Sequence, residues 1–134
     1  MPRPLAAFLT VLVTMLVLDG LWLTVVAKRF YEQHLGYLLA PQVQWWAAIL
    51  FYFLYVTGVV VFVVLPRTAD GHVGRAFLMG ALFGLVCYAT YDLTSQALIR
   101  NWPVVVTVVD MAWGAVLTGT IAAIAVRVSR SLTQ

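Results

Sequence analysis

Four long runs of apolar residues, separated by short polar stretches, make up most of the chain. The runs cover about residues 5–27, 43–65, 76–99 and 103–126. Each has the length that an α-helix needs to cross the hydrocarbon core of a bilayer, about 20 residues. The pattern predicts an all-α membrane protein in which residues 1–134 form a single transmembrane domain of four helices.

The segment that follows the first run, Phe30 to Pro41, is too polar to span a membrane. It predicts a short amphipathic segment that lies on the outer face of the membrane. Aromatic residues near that boundary are expected to form an interfacial belt. They are Tyr31, Tyr37, Trp45, Trp46 and Trp102.

Basic residues are divided unevenly between the two ends of the predicted helices. One end holds Arg3, Arg67, Arg75, Arg127 and Arg130, and the other holds Lys28, Arg29 and Arg100. Short loops rich in Lys and Arg stay in the cytoplasm, so this excess predicts that both termini are cytoplasmic. The margin is narrow and leaves a dual topology open.

The composition excludes a soluble protein. Of the 134 residues, 63% are hydrophobic and 10% are charged, whereas about 25% of the residues of a soluble domain are charged. The net charge of +3 reflects few acids and not a basic patch, so the lipid bilayer is the expected partner and nucleic acid is not. Cys87 is the single cysteine and cannot form an internal disulfide. No metal or redox-cofactor motif is present, and no cofactor is predicted.

Three of the five acidic residues, Asp19, Asp92 and Asp110, lie inside the apolar runs. At a rise of 1.5 Å per residue, each lies roughly 10–12 Å below the outer end of its helix. An ionisable group in hydrocarbon costs about 3 kcal/mol or more, so it indicates a functional site by default. Three carboxylates on different helices at one depth therefore predict a shared intramembrane cluster.

Other polar and aromatic residues fall at the same depth. Trp22 and Trp113 each follow an aspartate by three residues, and Tyr88 and Gln96 share a helical face with Asp92. The predicted ligand-binding set is Asp19, Trp22, Tyr52, Tyr88, Asp92, Gln96, Asp110 and Trp113.

No Lys, Arg or His lies within the four apolar runs, so the carboxylates have no cation of the protein to pair with. We expect them to share a proton and to attract a proton, a cation or an amine from outside. The faces of Trp22 and Trp113 suit a cation, because indole rings attract positive charge.

Six short motifs spread along the chain carry a family resemblance. They are Leu18 to Leu23, Phe30-Tyr31 with Leu35-Gly36, Phe51 to Tyr55, Tyr88 to Thr94, Trp102-Pro103, and Asp110 to Gly114. With these motifs, nearly the whole chain resembles a family of small bacterial inner-membrane proteins catalogued as a domain of unknown function. The resemblance implies four spans in a bacterial inner membrane and supplies no activity. Ser95 departs from the family pattern, in which Asn is expected.

Three functions remain open. The first is a small transporter or carrier whose aspartates bind a proton, cation or amine-bearing ligand, with a homodimer enclosing the path. The second is a membrane-embedded enzyme acting on a lipid or polyene. In that case Asp92, hydrogen-bonded by Tyr88, donates a proton, Asp110 accepts one, and Asp19 tunes both. The third is an accessory subunit whose acids pair with a basic group of another membrane protein. A purely structural alternative is that protonated aspartates hydrogen-bond across helices.

Overall fold

In the computed structural model, which describes residues 2–133, four helices are long and apolar enough to cross a membrane. They are α1 (Arg3–Val26), α3 (Trp45–Thr68), α4 (Val73–Leu98) and α5 (Val104–Thr133). A short helix, α2 (Lys28–Leu35), follows α1. No strand occurs between residues 2 and 133. The predicted all-α fold with four transmembrane helices is confirmed.

Two helices end later than the apolar pattern predicts. α5 continues beyond residue 126 to Thr133, because the added stretch contains no Gly or Pro that would stop it. α3 continues through Pro66 to Thr68. Pro66 lies in the first turn of the segment Leu65–Thr68, where a missing backbone N–H is tolerated.

Both α1 and α3 contain a wider, π-helical turn. Trp22–Val26 form this turn at the end of α1, and Val60–Val64 form it within α3. Such turns are rare and occur frequently at functional sites. The turn in α1 begins three residues after Asp19, at Trp22.

The closest helix pair is α4 with α5, and glycines on α4 allow the approach. A Cβ atom at Gly80 would lie 2.6 Å from the carbonyl oxygen of Thr118, and one at Gly84 would clash with the carbonyl of Gly114. Helix backbones in membranes approach closely where such small residues meet. On α4, Ala76, Gly80 and Gly84 recur every four residues and are all buried.

On α5 two series of small residues have the spacing for this contact. A repeat of Ala115, Gly119 and Ala123 suits the same four-residue spacing. The residues that meet Gly80 and Gly84 are instead Gly114, Thr118, Gly119 and Ala122. Two parallel series of small residues run along α5, and spacing alone does not separate them.

α3 packs onto the other helices through its second half. Tyr55, Val56 and Val59 are its first buried residues, and no residue between Trp45 and Leu54 is buried. The second half joins the main core, which also contains Met15 of α1. The first half of α3 therefore stands away from α4 and leaves a cleft between them.

The polar segment after α1 forms a helix only as far as Leu35. Leu35 is buried against Trp102 and Val106, and Phe30 and Tyr31 pack on the same small cluster. α2 thus lies across the end of the bundle where α4 connects to α5. We call this the α2 end, and the turn at residues 69–72 lies at the opposite end.

The predicted aromatic belt holds only in part. Trp45 and Trp46 are largely exposed, as belt residues are. Trp102 is buried instead, and its Nε1 donates to Thr107 Oγ1 at 3.1 Å. Tyr31 also turns inward. The belt prediction is wrong for Trp102 and Tyr31, because α2 folds back over the connection between α4 and α5.

Candidate functional site

Asp92 and Asp110 face each other across the close α4–α5 contact. Asp92 is completely buried, at 0% exposure, and Asp92 and Asp110 line the same cavity. Ionised carboxylates only accept hydrogen bonds, so neither can satisfy the other unless one carries a proton. Neither oxygen of Asp92 has a donor anywhere in residues 2–133.

Asp110 differs from Asp92 because it has a donor of its own. The Tyr31 hydroxyl donates to Asp110 Oδ1, and Trp22 Nε1 donates to the Tyr31 oxygen at 3.2 Å. Burial, and after it the hydrogen bond to Asp110, raise the pKa of the Tyr31 hydroxyl. Tyr31 therefore keeps its proton and stays a donor. No pattern in the sequence pointed to this role, because Tyr31 lies on α2, outside the four spanning helices.

Asp19 is held by two donors. Tyr52 OH donates to Oδ2 at 3.2 Å, and Trp113 Nε1 donates to Oδ1 at 3.4 Å. Asp19 is nearly as buried as the other two acids, at 9% exposure. Unlike Asp92, both of its oxygens have partners.

Two Asp-x-x-Trp motifs on the antiparallel helices α1 and α5 interlock. Trp113, which follows Asp110 by three residues, reaches back to Asp19, and Trp22 reaches Tyr31 at Asp110. The two indoles stack with centroids 4.3 Å apart and planes 8° from parallel. Each ring covers one face of the other. The stacked pair therefore links Asp19, to which Trp113 donates, with Asp110, which Trp22 reaches through Tyr31. No gap remains between the rings for the cation expected from the sequence.

Tyr88 does not hydrogen-bond to Asp92, and that prediction is wrong. The Tyr88 ring packs flat on Gly114, where any added Cβ atom would overlap it. This contact directs the ring along the surface of α5, and the residue lines the cavity beside the two carboxyls.

The structure does not bring Gln96 to the carboxylate pair. Its Nε2 donates to the carbonyl of Trp102 at 2.9 Å, and its Oε1 accepts from Thr107 Oγ1 at 2.9 Å. These bonds hold the tight connection between α4 and α5, in which Asn101 has a φ of +61°. Both ends of the Gln96 amide are therefore hydrogen-bonded within the protein.

A cavity of about 390 Å³ ends at the two carboxyls. It lies between the first half of α3 and α4, where α3 stands away. Its lining residues are Phe51, Cys87, Tyr88, Tyr91, Asp92 and Asp110. Phe51 and Tyr91 are each 51% exposed on the side of the bundle, so the cavity is reached laterally. Its volume falls in the range of ligand pockets, about 300–1,000 Å³.

The cavity divides the predicted set into two groups. Tyr88, Asp92 and Asp110 line it, whereas Asp19, Trp22, Tyr52 and Trp113 form the hydrogen-bonded region beside it. Phe51, Cys87 and Tyr91 were not predicted as lining residues. Tyr91 lies one position from Asp92, so helical periodicity placed it off the site. Within residues 2–133, no three His, Cys, Asp or Glu side chains are grouped so as to hold a metal ion.

The chain belongs to the family described as a predicted membrane protein, DUF2177, whose model matches residues 4–127. This is the family of unknown function that the sequence motifs resemble, and the match runs from the start of α1 into α5. Neither a curated protein nor a solved structure matches the chain.

Proposed function

We propose that the protein binds, within the membrane, a small apolar molecule that carries a protonated amine. The amine is held between the carboxyls of Asp92 and Asp110. The observation that carries this proposal is the pair of Asp92 oxygens, completely buried and without a donor in the described chain.

The charge balance favours a cationic ligand. A buried carboxylate without a hydrogen-bond partner is costly. The one salt bridge within residues 2–133 joins Arg67 to Asp70, so no described basic side chain forms an ion pair with Asp92 or Asp110. An ammonium group has three donors. In the cavity one donor would meet the free Oδ2 of Asp110, since Oδ1 already accepts from Tyr31. The other donors would reach the completely buried oxygens of Asp92 once the side chains that cover them move aside.

The shape of the cavity favours a molecule larger than an ion. A volume of about 390 Å³ exceeds what a proton or a single metal ion fills. Apart from the two acids and Cys87, aromatic side chains line the space. The open side lies between α3 and α4, where an apolar body would enter from the bilayer while its amine reaches the carboxyls. This arrangement suits a carrier.

Binding of a simple amphiphilic amine tests the proposal. Octylamine and octanol share an alkyl chain and differ in the charged group, and both are titrated into purified protein in detergent. We expect octylamine to bind wild type saturably and octanol to bind weakly. Asp92→Asn should weaken octylamine binding by about 10-fold or more, since hydrogen bonds to charged groups contribute about 1.5–3 kcal/mol.

Asp70→Asn is the matched control, because Asp70 is an exposed acid at the opposite end of the bundle. It should bind octylamine as wild type does. Equal affinity of wild type and Asp92→Asn, with both correctly folded, would contradict the proposal. Uptake of the unmodified amine into proteoliposomes, lost in Asp92→Asn, would identify the protein as a carrier.

A second candidate function, acid–base catalysis on a lipid or polyene, is favoured by the unequal surroundings of the two carboxyls. Tyr31 stabilises a negative charge on Asp110, and nothing in the described chain does so for Asp92. Such a difference separates an acid from a base. Asp92 would give its proton to one carbon of a double bond, which leaves a positive charge on the other carbon. Asp110 would then remove a proton from the next carbon along, so that the double bond shifts and the product is an isomer of equal mass. Profiles of membrane lipids from a deletion strain, complemented with wild type or Asp110→Asn, test this function.

The proposed location is a bacterial inner membrane, with both termini in the cytoplasm. The distribution of arginines supports this orientation, because the end of the bundle that holds both termini and the turn at residues 69–72 carries the larger share of the basic residues. Reporters fused after residue 134 test the orientation. A green fluorescent protein should be bright and an alkaline phosphatase inactive, and the reverse result would overturn it.

A further inference from the structure

A second groove between α3 and α4 lies at the opposite end of the bundle, away from the aspartates. Its volume is about 370 Å³. It is lined by Phe62, Val63, Pro66, Arg67, Arg75, Leu78 and Met79. Two arginines at one end of an otherwise apolar groove form a site of mixed character, which we call the basic groove.

The charge of the basic groove is only partly neutralised by the protein. Arg67 Nη1 lies 3.2 Å from Asp70 Oδ2. The guanidinium of Arg75 makes no ion pair or hydrogen bond within residues 2–133. A backbone hydrogen bond from His72, and more weakly Arg67, lower the pKa of Asp70, so this acid stays ionised beside the groove. One acid faces two arginines, and a positive charge remains.

The apolar part of the groove continues along the two helices. A cleft of about 240 Å³ shares Phe62, Val63 and Met79 with the basic groove and extends to Leu82 and Val86. Eleven residues separate Arg75 from Val86, which is about 16 Å at 1.5 Å per residue. This length is close to one leaflet, half of the roughly 30 Å hydrocarbon core.

Phe83 also lines the cleft and packs against α3. Its ring meets Gly58 of α3, where an added Cβ atom would lie 3.0 Å from Phe83 Cζ. The ring also lies 6.5 Å from that of Tyr55, between centroids. The basic groove with its cleft and the cavity at Asp92 and Asp110 have no lining residue in common. Binding of a ligand in one space therefore does not require a ligand in the other space.

We propose that the basic groove binds an anionic phospholipid of the surrounding bilayer, with its phosphate at Arg67 and Arg75 and one acyl chain along the cleft toward Val86. Positive charge at the end, apolar walls and the length of one leaflet are the three features that such a lipid requires. Basic residues next to the membrane attract anionic lipids. Arg also pairs with phosphate through two parallel hydrogen bonds.

Native mass spectrometry of the purified protein with defined lipids tests this proposal. We expect tighter binding of dioleoyl phosphatidylglycerol than of dioleoyl phosphatidylcholine, which has the same acyl chains. Arg75→Gln should weaken phosphatidylglycerol binding about 5-fold, the effect of one basic residue at a membrane surface. Arg3→Gln removes the same charge from an exposed residue outside the groove and should leave binding unchanged.

Two further variants separate the site from a general charge effect. Asp70→Asn removes the acid that competes for Arg67 and should strengthen phosphatidylglycerol binding. Met79→Trp fills the acyl cleft without changing any charge and should weaken it. Inorganic phosphate should not compete at millimolar concentration, since the acyl chain contributes to binding. Equal binding of the two lipids, an equal loss in Arg75→Gln and Arg3→Gln, or a protein dimer occupying this face instead of lipid would overturn the proposal.

Discussion

Asp19 and Asp92 are the same residue type, buried to a similar degree in one bundle, yet their surroundings are opposite. Asp19 accepts from Tyr52 and from Trp113. Asp92 accepts from no described donor and ends a cavity that opens at the side of the bundle. The protein supplies donors to one intramembrane acid and, within residues 2–133, none to the other. Burial therefore does not distinguish the two acids, whereas their hydrogen-bond partners do.

The largest expected effect comes from breaking the α4–α5 contact that holds Asp92 beside Asp110. Gly84→Leu forces a branched side chain against the backbone of α5 at Gly114. Overpacking of this kind costs about 1–3 kcal/mol or more, and Asp92 should lose its position beside Asp110. Thermal unfolding in detergent measures the loss. Gly20→Leu is the control, because a Cβ atom at Gly20 has nothing within 4 Å, and its unfolding temperature should match that of wild type.

Replacing each acid by leucine tests the difference between Asp19 and Asp92. Asp19→Leu leaves the Tyr52 hydroxyl and the Trp113 N–H without an acceptor, which should lower stability by about 1–3 kcal/mol. Asp92→Leu removes a buried carboxyl that has no donor, so stability should stay the same or rise. Unfolding of the two variants in the same detergent provides the measurement. Equal destabilisation would remove the distinction between the two acids.

Tyr31→Phe tests the donor that distinguishes Asp110 from Asp92. The substitution removes the hydrogen bond to Asp110 and the acceptor of Trp22, which should lower stability by about 1–2 kcal/mol. Tyr37→Phe is the matched control, since its hydroxyl donates only to the exposed carbonyl of Asn101 at 2.8 Å. Its effect should be under about 0.5 kcal/mol. If both substitutions cost the same, Tyr31 has no special role.

Tyr88→Phe should have the smallest effect on stability. The Tyr88 hydroxyl donates to no acceptor within residues 2–133, and the ring that packs on Gly114 remains. We expect a change within about 0.5 kcal/mol. Octylamine affinity should also change by less than a factor of about 3, because the Tyr88 hydroxyl does not hydrogen-bond to Asp92 and the carboxyl that would bind the amine is unchanged. A large drop in stability would mean that the hydroxyl has a partner in the folded state.

The apolar pattern predicted the four helices well, because spanning length and hydropathy are local properties of a sequence. The hydrogen-bond partners of each acid were harder to predict from the sequence. Helical periodicity placed Tyr88 and Gln96 beside Asp92, but Gln96 turns to the α4–α5 connection. The approach of Tyr31 to Asp110 joins residues 79 positions apart. Such contacts depend on how α2 folds back and on the π turn at Trp22, which alternation of apolar and polar residues does not encode.

The hydrogen bond from Tyr31 to Asp110 joins a helix outside the spanning segments to a carboxyl inside them. Any event that changes the charge of Asp110 alters the strength of that bond, and so the hold on α2. A spin label on the exposed residue Arg29 would show whether α2 moves when Asp110→Asn removes that charge. The charge of an acid inside the bundle is thus linked to the position of a helix outside the spanning segments.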